Sequence, residues 1–201
     1  EVKDPGGVYE VGKMGQQKPE QWSEDKTRNE TDIIKTRVSK MIEQELRDDP
    51  YAQEAFSRLL RQAIEEAAKL FDHPLKQYLL FHEFEHQVQA RKLDELPDVF
   101  TGNRHAQAYF GIFKKNLPEA LISANEEMQE HWVKLAFSLD EMVMTSVAEH
   151  SINPQNIESD IRKKLLPLLF KECKAVGAGM DQAKTMVEWV VQITRVGLAG
   201  I

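Results

Sequence analysis

The sequence predicts an all-α fold, a bundle of about six or seven helices behind an extended N-terminal arm. Three observations predict it. Apolar residues recur at helical spacing from about residue 32 onward. Prolines at 50, 74 and 154 restart that pattern, each suited to the first position of a helix. No segment alternates apolar and polar residues as a half-buried strand would; only Trp189–Ile193 has strand composition.

Four of the ten glycines are Gly6, Gly7, Gly12 and Gly15, and none occurs from 16 to 101. Residues 1–28 lack a helical period and read as an arm or linker, with Trp22 expected to tuck onto the body. Residues 29–201 form the helical domain. Its first helix spans about 32–47, with Ile34, Val38, Met41, Ile42 and Leu46 on one stripe and Asn29 or Thr31 as cap. Asp48-Asp49-Pro50 ends it and starts a second helix to about 71, whose stripe is Phe56, Leu59, Leu60, Ala63, Ala67, Leu70 and Phe71. Pro74 opens a third helix to about Leu93. After a loop around Pro97 and Gly102 come a short helix over 104–116 and a long one over 119–149, with Trp132, Leu135, Ala136, Leu139, Val143 and Val147 inward. Asn153-Pro154 caps the next, with Ile157, Ile161, Leu165 and Leu168 inward, and Pro167 should kink or end it. The last segment, 181–197, reads as helix because Ala183, Val187, Val190, Val191 and Thr194 keep helical spacing behind Asp181 as cap.

The 201 residues carry 26 bases and 33 acids, a net charge of −7. That disfavours a strongly basic nucleic-acid module. Only residues 151–201, at +2, offer a local positive face. The longest apolar runs fall far short of the ~20 residues a membrane span needs. A single cysteine, Cys173, excludes an intrachain disulfide and suits a reducing cytoplasm. No signal peptide is visible, and the chain begins at Glu1 without Met, which reads as a piece of something longer.

The sharpest motif is His82-Glu83-Phe84-Glu85-His86, an H-E-x-x-H on a helix. Two histidines four apart share a face and can hold zinc, with Glu83 as general base. The same residues also lie on the face of Leu75, Tyr78 and Leu79, where they would be helix–helix contacts. Glu85 is charged at a position that zinc peptidases bury, and no third ligand follows at a recognisable spacing. Ser23-Glu24-Asp25-Lys26 fits S-x-x-K without its partner motifs. Gly177-Ala178-Gly179 lacks the G-K-[ST] of a phosphate loop and reads as a turn. Cys173 reads as a small core residue. Arg162, Lys163 and Lys164, with Lys171 and Lys174, give the tail a basic surface that is either a solvated face or a contact with an acidic partner or phosphate backbone. None of these makes a self-sufficient catalytic site, so the residues alone indicate an interaction or assembly module.

Five strings coincide in order: WSEDKTRNETDIIKTRVSKMIEQELRDDPYAQEAFSRLL (22–60), LFDHPLKQYLLFHEFEHQV (70–88), NRHAQAYFGIFK (103–114), SINPQNIESDIRKKLLPLLF (151–170) and MDQAKTMVEWVVQITRVGL (180–198). Together they resemble the C-terminal region of the R subunit of type I restriction–modification enzymes, over nearly the whole chain from Trp22. The resemblance implies a helical domain that docks the DNA-translocating, DNA-cleaving subunit onto a methyltransferase core of modification and specificity subunits. It implies that residues 1–28 lead in from upstream motor domains, beyond which lies a nuclease domain. ATP and Mg belong to those upstream domains, and no catalytic, cofactor-binding or metal-binding residue transfers to this chain. DNA is met through the whole complex, and no membrane is involved. Candidate contacts are Arg162, Lys163, Lys164 and Trp189. Two other readings stay open, a zinc-dependent hydrolase using His82, Glu83 and His86, and an accessory DNA-contacting helical module.

Overall fold

A computed structural model describes residues 18–199, so the expected arm over residues 1–17 lies outside the described residues. Among the described residues there are no strands. Seven helices of 13 residues or more and one single-turn helix make the fold. They are α1 (Glu24–Gln44), α2 (Pro50–Lys69), α3 (Pro74–Gln89), α4 (Arg104–Asn116), α5 (Glu119–Ile122), α6 (Glu126–Glu149), α7 (Pro154–Ala175) and α8 (Met180–Ala199). No described helix is long and apolar enough to cross a membrane.

The chain departs from the expected boundaries at several points. Residues 24–28, expected in the arm, are the first turn of α1, and a 3₁₀ turn at Pro19–Gln21 precedes them. Ser23 is the cap rather than Asn29 or Thr31, its hydroxyl accepting from the Lys26 amide at 3.3 Å. That contact also accounts for the S-x-x-K spacing, a serine capping the third residue of a helix. The expected helix over 119–149 is two, because Asn125 turns the chain and caps α6 by accepting from the Met128 amide at 2.8 Å. α7 runs through Pro167 to Ala175 instead of ending. Its core row Ile157, Ile161, Leu165, Leu169 and Cys173 continues on both sides, and that burial offsets the lost backbone bond. Leu169 takes the buried place expected of Leu168, which is half-buried. α8 begins at Met180, so Asp181 lies in its first turn and is not its cap.

α3 stops at Gln89, short of Leu93, in a closure normally built on glycine. Arg91 takes φ +50, and the Lys92 amide reaches back to the Gln87 carbonyl at 3.0 Å. Gly177, at φ +77, closes α7 the same way, with the Ala178 amide on the Cys173 carbonyl at 2.8 Å.

α4 is the centre of the bundle. Every residue from Ala106 to Phe113 is buried, as expected of a helix wrapped on all sides. α2, α6 and α8 pack around it, α3 packs on α1, and α7 on α6 and α8. Phe110, Phe113, Phe100 and Trp132 form its aromatic core, with Phe113 and Trp132 centroids 4.9 Å apart.

Candidate functional site

The histidine motif divides by face. α3 turns Phe81, Phe84 and Glu85 inward, while Glu83 and His86 are exposed and His82 is half-buried. The His82 and His86 rings meet edge to face at 4.6 Å, and Tyr78 continues the stack at 5.6 Å from His82. Among the described residues, no group of three ligand-bearing side chains includes either histidine. Glu85 is the member with a decisive contact. It is 5% exposed and takes both Nε and Nη2 of Arg37 on α1, the second at 2.9 Å. A buried carboxylate needs such a forked partner, and the bond in turn holds the Arg37 guanidinium above its usual range. The charge that counts against a zinc peptidase is therefore the clamp between α1 and α3.

The tail bases do not form one patch. Arg162 on α7 forks onto Glu188 of α8 at 2.8 and 2.9 Å and reaches Glu158 at 3.3 Å. Arg195 of α8 returns to Glu158 at 2.7 Å. Lys164 points the other way, to Asp160 at 2.6 Å and to Glu149 of α6 at 3.0 Å. Only Lys163 of the three is exposed, with no ion-pair partner among the described residues. Trp189 is half-buried on α8, with the Lys115 ammonium 5.7 Å from its ring centroid.

Two further clusters escape a reading of spacing alone. Asp49, 1% exposed, caps α2 through Ala52 and receives Gln107 of α4 at 3.2 Å. Burial raises its carboxyl above the usual range. The same Gln107 amide donates to the Arg91 carbonyl, and Arg91 pairs with Asp48 at 2.9 Å. Glu149, His150 and Asp160 could together ligate a cation. The Lys164 ammonium already bonds both carboxylates, which holds Asp160 below its usual range. Cys173 is fully buried, and burial raises its thiol, which disfavours the nucleophilic thiolate.

Comparison with models of known protein families, with characterised proteins and with solved structures finds no match.

Proposed function

We propose that this chain is the C-terminal assembly domain of a type I restriction R subunit, docking the motor and nuclease domains onto the methyltransferase core. The observation that carries the reading is the set of five strings in order between residues 22 and 198. They fall on α1, α2, α3, α4, α7 and α8, so the resemblance runs through the bundle and not through one segment. The placement of charge supports a scaffold. Glu85, Asp49, Arg162 and Lys164 all join one helix to another, which leaves the outer faces as the parts free to act. On this reading ATP and Mg are bound by the upstream domains.

Size-exclusion chromatography with light scattering tests it, on the chain alone and with its cognate modification–specificity core. A complex whose mass rises by 23.1 kDa per bound chain is expected. Separate elution of the two at micromolar concentration overturns the reading.

A further inference from the structure

We infer that a groove between α2 and α8 is a docking site for an acidic amphipathic helix of a protein partner; the partner's identity rests on the assembly reading above. α2 and α8 both pack on α4, and between them runs an open groove of about 590 Å³. One wall is a single stripe of α2 from Pro50 to Arg61, about 16 Å or three helical turns long. The other wall is Trp189, Gln192 and Val196 of α8. Ile42 of α1 and Arg47, just past the end of that helix, close the groove, and Lys115 of α4 reaches in to pair with Glu54. Its apolar surface comes from Ile42, Pro50, Trp189 and Val196, and polar side chains make up the rest of the lining. A trough of this length fits the apolar face of a short helix with polar flanks.

The charges select the partner. Of the nine arginines, six pair with a carboxylate among the described residues: Arg28, Arg37, Arg58, Arg91, Arg162 and Arg195. Arg47, Arg61 and Arg104 do not, and two of these three line this groove. Arg47 donates only to the Glu43 carbonyl of its own turn, at 3.2 Å. Guanidinium forks held open beside a half-buried tryptophan are the residue types that dominate protein interfaces, and their natural complement is a carboxylate. Glu54 is already paired with Lys115 of α4, so among the described residues the unpaired charges of the groove are Arg47 and Arg61 against Glu43 alone. Two guanidinium groups on a chain of net charge −7 suit a few protein carboxylates and not a nucleic-acid backbone, which is held through many basic contacts.

The test is a titration of the ¹⁵N-labelled chain, followed at the Trp189 indole N–H and the Arg61 Nε–H. One arm adds an 18-residue synthetic helix with a leucine seam and glutamate flanks; the other adds a short DNA duplex. The expected result is that the peptide moves both signals and the duplex moves neither. Arg47→Glu with Arg61→Glu should weaken the peptide at least tenfold at an unchanged melting temperature. No response to the peptide, or a response to the duplex alone, overturns the inference. So do signals that move with protein concentration alone, which would make the occupant a second copy, or on removal of residues 1–17, which would make it the chain's own segment. The double variant is also run against the methyltransferase core. Wild type and variant co-eluting equally removes the groove and leaves the assembly reading standing. Peptide binding in the groove without co-elution of either form keeps the groove and removes the assembly reading.

Discussion

Arg37 and Glu85 are unequal partners. Glu85 is 7% exposed in its side chain and Arg37 53%, so the carboxylate depends on the pair far more than the guanidinium does. Arg37→Met should cost about 3 kcal/mol, because it strands a buried charge, whereas Glu85→Gln should cost about 1.5 kcal/mol. The double variant should cost less than the sum, with a coupling of ~1 kcal/mol or more. Urea unfolding followed by helical circular dichroism measures all four corners; an additive cycle would show that the fork contributes nothing. Phe71 corrects the sequence reading at the same scale. Expected inward on its stripe, it lies 65% exposed just beyond α2, with the Arg28 guanidinium 4.6 Å from its ring. The stripe holds only while the helix does, and α2 ends at Lys69.

At the scale of elements, one glycine sets how closely two helices approach. A Cβ on Gly111 of α4 would lie 2.5 Å from the Cβ of Tyr51 on α2. That neighbour is the root of a side chain and not its flexible end, so the helices must separate. Gly111→Ala should destabilise by about 2 kcal/mol despite alanine's better helix propensity. Thermal unfolding checks the sign; a stabilised variant would mean that α2 and α4 can slide apart at little cost. Helix ends were legible where they rest on local chemistry, as at Pro50, Pro74 and Asn153. They were not legible where a cap depends on which of several polar residues the chain uses. Ser23, Asn29 and Thr31 all qualify as caps, and packing of Thr27 and Thr31 inside the bundle extends α1 back to Ser23.

For the whole molecule, the ion pairs divide the bundle's response to acid. Arg195 and Arg162 hold Glu158 below the usual carboxylate value of 4.5, and Arg162 holds Glu188 there too. The unfolded chain protonates these groups first. Their contribution is therefore whole above about pH 4.5 and is lost as the pH falls through the depressed folded values. Water screens these partly exposed pairs, so the loss should be on the order of 1 kcal/mol. Hydrogen exchange should show α7 and α8 amides losing protection as the pH falls below 4.5, and Glu158→Gln with Glu188→Gln should remove that step. Protection that stays flat through this range in the wild type would show that apolar packing alone joins the two helices. The proposed α2–α8 groove belongs to this scale too, since it exists only because both helices rest on α4.

Periodicity and helix punctuation, read along the chain, determined that the protein is an α-helical bundle and which stripes enter its core. These are local properties, set within a few turns of backbone. Tertiary structure alone decided what the charged residues do. His82-Glu83-Phe84-Glu85-His86 carries a zinc signature in one dimension, but only the crossing of α1 and α3 brings Arg37 to Glu85. Arg162, Lys163 and Lys164 are adjacent in the chain, yet 100° steps around α7 send one to α8, one to solvent and one to α6. The partner of a charge is a matter of which helices cross and where, and that information is spread over residues far apart in the sequence.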